Sequence, residues 1–377
     1  MSRKLVFILF TFILLSSLLC IGLTPVVESY KRYPVWNDST GLTYTTIQEA
    51  INDCKTLNGH NLSLNTYTVY YENVVVNKSI NLYGAFYLGH PESIPIINGK
   101  GTGAAVTIEA DNVTIGWWID VTNGINGICV EDVDNCILNR LSITNNSETG
   151  IYLHNSKNCT IRSCSITGNR YNFGVEGSSA EHYFHKVISS TTNGKPIRYL
   201  TNEQDKNITE DSGYIAAINC TNITVENQDL TNNHQGLLFV YTNNSIIRNS
   251  NISNNLYGIY LQHSSNNRIY HNFINNTYQV HVEKIGGYPS NSWDDDYPSG
   301  GNYWSDYKDK YPDAAEIGNS GIWDIPYVIN ENSLDNYPIV PEFPSFLVLP
   351  LFMMATLLTL IIYRCAHDKQ FLNNSEI

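Results

Sequence analysis

Three columns of residues recur in this chain at a nearly constant step. Ile143, Ile166, Leu230, Ile252 and Ile274 each lead into an Asn-rich turn, 23 residues apart at first and then, after one break, 22 and 22. Leu138, Ile161, Val225, Ile247 and Ile269 keep the same steps, and a third column is glycine: Gly127, Gly150, Gly174, Gly236 and Gly258. A fixed period of this size means a solenoid. Each unit holds three short alternating runs, too short for helices and separated by Asn, Gly or Ser. The Leu framework and helical segment of a leucine-rich repeat are absent. The remaining fold is all-β: a single-stranded right-handed parallel β-helix, one coil per period, whose strands pair with the coils above and below at about 4.8 Å. Asn suits the corners because it tolerates left-handed backbone angles and bonds to local backbone groups. Stacked Asn can also form ladders along the axis.

The coils run over residues 74–283. One stretch, Ser178 to Ser212, breaks the period with charged sequence that includes Asn193-Gly194-Lys195-Pro196. Subtracting it leaves about eight coils, and the insertion is expected to project as a lateral loop. Residues 28–73 form an N-terminal cap region. There Thr46 and Glu49 make a capping box, and Ile47, Ala50, Ile51 and Cys54 share one helical face, as a plug for the open end of a solenoid requires. Residues 284–340 change character, with Trp293, Trp304, Trp323 and several Tyr; an aromatic cap over the last coil would cover its unpaired strand edges.

The ends carry a different signal. Residues 1–27 begin with Arg3 and Lys4 and continue as an apolar run, the pattern of a secretory signal peptide. Residues 345–363 are apolar and uncharged, long enough for one transmembrane helix, and Arg364, His367 and Lys369 follow in a tail (364–377) expected to be cytoplasmic. The expected product is extracellular and held in the cell membrane by its C-terminal helix. The formal net charge is −13, with 22 Lys plus Arg and no basic stripe, which excludes a nucleic-acid partner. Outside the two apolar ends lie Cys54, Cys129, Cys136, Cys159, Cys164 and Cys220. Cys136 and Cys159 occupy one repeat position, the habit of small buried core residues rather than of a disulfide framework.

The GIYL units and NN-x-I turns resemble the NosD-type, carbohydrate-binding/sugar-hydrolase-like β-helix repeats of the pectin lyase-like superfamily. So do Thr45-Thr46-Ile47-Gln48-Glu49-Ala50-Ile51, Tyr70 to Val76 and Ile96-Ile97-Asn98-Gly99 near the start. The resemblance covers roughly residues 40–340. The module after Glu283 is similar to the tails of archaeal surface repeat proteins, and Pro341-Glu342-Phe343 resembles a PEF-type sorting signal, which implies a sorting protease acting near Pro341. The resemblance implies the fold and a polysaccharide or glycan surface as partner; it does not by itself imply an activity.

With Ile151, Leu153, Ile259 and Leu261 inward, strand alternation turns Tyr152, His154, Tyr260 and Gln262 outward, with Glu131, Glu176, His281 and Glu283 at equivalent places. The file Tyr152, His154, Glu176, Tyr260, Gln262 and His281 is the expected floor of a glycan-binding groove, walled on one side by the insertion. No catalytic residue is assigned. Glu131 and Glu176 are the carboxylates nearest to a hydrolase pair, but in this reading they lie in different columns, separated by about 9.6 Å from stacking alone. A polysaccharide lyase, hydrolase or epimerase is therefore the alternative to a binding or structural rod. The NosD label implies copper, which wants convergent His, Cys or Met. His182 and His185 stand three apart, whereas His234, His263 and His271 are scattered on corners. Asp294, Asp295, Asp296 and Asp306 are hard oxygen ligands of the kind calcium takes, the one cofactor the tail suggests. Asn-x-Ser/Thr sequons, among them Asn112, Asn207, Asn222 and Asn251, are the glycosylation candidates of an exported chain.

Overall fold

The computed structural model describes residues 34–84, 94–283 and 290–340. The signal segment, the sorting motif, the 345–363 run and the tail lie outside the described residues. Among the described residues no helix is long and apolar enough to cross a membrane.

The chain is an all-β right-handed-type solenoid of about 10 turns. The columns stack as the period requires: Leu138 pairs with Ile161, Ile143 with Ile166, Ile247 with Ile269, and Leu230 with Ile252 and then Ile274, all in parallel register. Every one of these side chains is buried. The coil count exceeds eight for two reasons. Stacking starts before Val74, since Asn61–Leu64 already pairs with Asn81–Gly84 and Val69–Tyr71 with Ile96–Asn98. The supposed insertion also stacks.

That stretch does not project as a loop. Lys186–Ile188 lies parallel on Thr160–Arg162, and Thr191–Thr192 on Ser165–Thr167. The chain then reverses at Asn193-Gly194 into Lys195–Thr201, antiparallel to Thr191–Thr192 and parallel to Tyr214–Ile218. Here the solenoid steps sideways. The first sheet of the N-terminal segment ends with Tyr171–Glu176, and a new first sheet begins with Lys195–Thr201, Tyr214–Ile218, Gln235–Val240, Tyr257–Gln262 and Tyr278–Val282. Tyr214–Ile218 and Gln235–Val240 are buried along their whole length. Alternate residues explain how: Ile215, Ala217, Leu237 and Phe239 line the second core, while Tyr214, Ala216, Ile218, Leu238 and Val240 belong to the first. Tyr214 meets Phe173 edge-on at 5.0 Å. The outer face of the second segment thus closes the end of the first.

Both termini of the rod are covered. Helix Ile47–Asn52 buries Ile47, Ala50 and Ile51, with Thr46 accepting from the Glu49 N–H. The Glu49 carboxylate accepts from the Thr45 N–H and hydroxyl, and Cys54 is exposed instead of facing the core. At the other end Tyr303–Trp304 adds a strand to Phe273–Asn275, Trp293 and Trp304 are buried, and Trp304 stacks on Tyr327 at 4.1 Å.

Asn serves the coil in two ways. Asn202, Asn219, Asn227 and Asn249, like many others, take positive φ at exposed corners. A second set points inward: Asn255 accepts from the Asn233 N–H at 2.9 Å, and its Nδ2 donates to Leu230 O and Asn276 Oδ1, both at 2.9 Å. Asn272 and Asn302 repeat the pattern one column away. These ladders satisfy buried backbone groups that the corners leave without strand partners. Cys129, Cys136, Cys159, Cys164 and Cys220 are free and buried.

Candidate functional site

The step brings two outward faces together. Tyr152, His154 and Glu176 stand on the last strands of the first segment, Tyr260 and His281 on strands of the second. Tyr152 Oη donates to Glu176 Oε2 at 2.6 Å, and His234 Nε2 lies 2.9 Å from Glu176 Oε1. His234 reaches this position from the corner before Gln235–Val240, its ring 5.0 Å from Tyr152 and 5.9 Å from Tyr257. Tyr257 continues the file: 5.5 Å from Tyr260, 5.6 Å from His281 and stacked on Tyr278 at 5.2 Å. Tyr260 stacks on His281 at 4.4 Å.

Gly174 makes the contact possible. It does not belong to the glycine column, because Tyr152, not Gly150, is its partner in register. A Cβ there would sit 2.5 Å from the His234 Cβ. The missing side chain is the space into which His234 packs.

Five residues of the expected file, Tyr152, His154, Glu176, Tyr260 and His281, remain partly exposed on these facing surfaces. Gln262 does not: it is buried, and its Oε1 accepts no hydrogen bond. His234 and Tyr257 were missed as members. The visible signal was Tyr257 itself, an aromatic immediately before the repeat glycine, where Thr149 and Gln235 stand in other coils. Glu131 and Glu176 turn out to share one column, with His154 between them in register, so their different-column placement is overturned. His154 Nδ1 is 3.8 Å from Glu131. The groove wall expected from the insertion is instead the second segment.

Electrostatically the corner centres on Glu176, which both Tyr152 and His234 engage. Burial pushes the Glu176 carboxyl up, but His234 and the Tyr152 hydroxyl outweigh it and hold the group below the ordinary carboxylate value. Burial, and then Glu176, push the Tyr152 hydroxyl far up; burial does the same to Tyr260. Burial lowers His281 in spite of Glu283 and Glu176 nearby, favouring a neutral ring. Glu283 Oε2 is buried without a hydrogen-bond partner. The arrangement offers flat ring faces beside carboxylate and imidazole hydrogen-bonding groups, the combination that suits the apolar face and hydroxyls of a sugar.

The acidic tail residues do not converge. Asp294 accepts from Asn336, Asp295 pairs with Arg268 and Ser299, and Asp306 pairs with Lys310 at 3.0 Å and accepts from Tyr327. Of the sequon residues, Asn112, Asn207 and Asn222 are exposed, whereas Asn251 is half-buried with its amide on Asp229.

The chain is similar to several known proteins. A cell surface glycoprotein of Methanothermus fervidus is 37% identical over 114 residues, 30% of this chain and 17% of that protein, so the chain spans only a small part of its relative's length. An alginate lyase from Paenibacillus sp. str. FPU-7 aligns with 68% of this chain and 94% of its own at 12% identity and a TM-score of 0.36. Pectate lyase Pel9A aligns with 80% and 82% at 13% identity and a TM-score of 0.29. A family model described as periplasmic copper-binding protein (NosD) matches residues 106–309. The donors present do not fit copper. Among the described residues the one group of three His, Cys, Asp or Glu with ligand atoms all within 4.8 Å is Glu131, Asp132 and His154, a single imidazole with two hard carboxylates. His185 is buried, with its Nε2 on His182 O at 2.8 Å, and the chain's methionines, Met1, Met353 and Met354, lie outside the described residues. With the match spanning more than half of its 377 residues, the chain belongs to the NosD family.

Proposed function

We propose that this is a cell-surface β-helix protein that binds glycans in the corner between its two segments, anchored in the membrane by the 345–363 run. The carrying observation is the continuous file Tyr152–His234–Tyr257–Tyr260–His281, buttressed by Glu176, which only the sideways step assembles. The surface assignment draws on the glycoprotein relative's name and on the apolar ends, and Asn112, Asn207 and Asn222 are exposed sequons open to glycosylation. Stacked rings would contribute mainly through apolar area, at about 25 cal/mol per Å². Neutral or amino sugars suit the corner better than acidic ones, because Glu176 and Glu283 would repel a carboxylate. The test is a glycan array probed with the full chain and with a Tyr152→Ala/Tyr260→Ala variant. Selective binding by the wild type, weakened about tenfold (1.4 kcal/mol) or more in the variant, supports the reading. Silence on the array for neutral and amino glycans, or a variant that binds these unchanged, overturns the reading of the corner.

One observation favours catalysis as a second reading. The hydrogen-bonded chain Tyr152–Glu176–His234 has the partner geometry of an acid/base device. Turnover of a polysaccharide to new reducing ends or unsaturated uronate, lost in Glu176→Gln, would establish the enzyme.

A further inference from the structure

From Trp117 to His271 the corner column between the second and third strands takes positive φ in seven coils. In most coils small or polar residues hold it: Ser163, Ser189, Asn227, Asn249 and His271. In two adjacent coils they are replaced by Trp117 and Trp118 (φ 62° and 65°) and by Arg140 (φ 57°). The Trp pair is a two-for-one bulge: the register runs Gly116 with Asn139, then Ile119 with Leu141, leaving both rings opposite Arg140.

This substitution is costly. A left-handed angle on a side chain as large as Trp costs about 1–2 kcal/mol, which Asn largely escapes. Burial does not return that cost, since Trp117 and Trp118 stay 50% and 51% exposed. Arg140 lies with its guanidinium carbon 5.0 Å from the Trp117 ring centre and 6.0 Å from that of Trp118. Arg162 is exposed one coil further on, paired in register with Asn139. Among the described residues neither Arg140 nor Arg162 has a carboxylate partner, although the chain carries a net charge of −13. One unpaired cation over two exposed indole faces, all three held in a strained backbone, with a second exposed cation on the next coil, is a complementary surface for a planar-faced anion. Coils stack at about 4.8 Å, comparable with the length of one pyranose residue, so a saccharide lying along the axis meets the Trp pair and then each arginine in turn.

We propose that Trp117, Trp118, Arg140 and Arg162 form a binding platform for acidic saccharide, uronate residues stacking on indole with their carboxylates on the guanidinium groups. This platform is independent of the corner between the segments, whose carboxylates disfavour such a ligand. The test is isothermal titration of the full chain with trigalacturonate, with neutral maltotriose as control, at low salt. Trp117→Asn/Trp118→Asn places the residue that fills this column elsewhere, so the variant is expected to unfold at the same or a higher temperature than the wild type. The proposal requires binding of trigalacturonate but not of maltotriose by this platform. It also requires loss of that binding in the double variant, at least about tenfold weakening in Arg140→Gln, and no change in Tyr152→Ala/Tyr260→Ala. Absence of binding, retention in the double variant, loss only in the Tyr152/Tyr260 variant, or binding to anionic lipid vesicles but not to trigalacturonate would each overturn it.

Discussion

At His185 the corner logic can be followed to a pH dependence. The ring takes the place that Cys136 and Cys159 hold in the two coils before, and it is buried. Nδ1 accepts from the Cys159 N–H at 3.2 Å, and Nε2 faces His182 O at 2.8 Å, which requires the neutral tautomer with its proton on Nε2. A second proton would have to point at the Cys159 N–H. Burial accordingly lowers the group from 6.5 to about 4. The unfolded chain binds the proton first, so stability is fully present above about pH 6.5 and lost as pH falls toward 4, by up to about 3 kcal/mol. Urea midpoints at pH 7.5 and 4.5 should differ clearly less in His185→Gln than in the wild type; equal differences would contradict the assignment. Single residues were legible where they obey the repeat: the corner asparagines, the inward Ile and Leu, the Thr46 cap. They were not where a side chain answers to a distant partner. Gly174 counted as one more repeat glycine because nothing local announces His234, 60 positions on, and Cys54 left the helical face because the helix ends at Asn52.

Among the elements, Tyr214–Ile218 and Gln235–Val240 decide the architecture. A β-helix strand with one face in solvent alternates, as GIYL does with Tyr152 and Tyr260 outward. YIAAI and GLLFV do not alternate, and continuous apolar runs mark strands buried on both faces. That signal was present but was absorbed into the 22-residue period. The charged stretch before it read as an insertion because its coil is longer and its third strand turns back. Leu238 discriminates between the two accounts. In a uniform rod it points outward, and Leu238→Ala would cost little. Between two cores it should cost about 2–5 kcal/mol, close to the cost of Leu237→Ala, in chemical unfolding of the full chain. A cost within about 0.5 kcal/mol of zero would mean that the outer face is solvated.

The whole molecule is a rod with a joint. Period and composition carried the fold class, the helical and aromatic ends and the free buried cysteines, because each follows from nearest-neighbour stacking. The joint did not follow, since it depends on two coils meeting off-axis, and with it went the arrangement of the candidate site: five of the six expected file residues face the joint, yet His234 and Tyr257, which weld its halves together, lie outside the outward-strand rule. The central claim is that residues far apart in sequence form one glycan surface at this joint. Hydrogen exchange of the full chain, with and without a glycan identified on the array, tests it most directly. Peptides covering Tyr152–His154, Glu176, His234 and Tyr257–Tyr260 should gain protection together and lose it together in Tyr152→Ala/Tyr260→Ala. Protection confined to one segment, or appearing only away from the joint, would contradict the account.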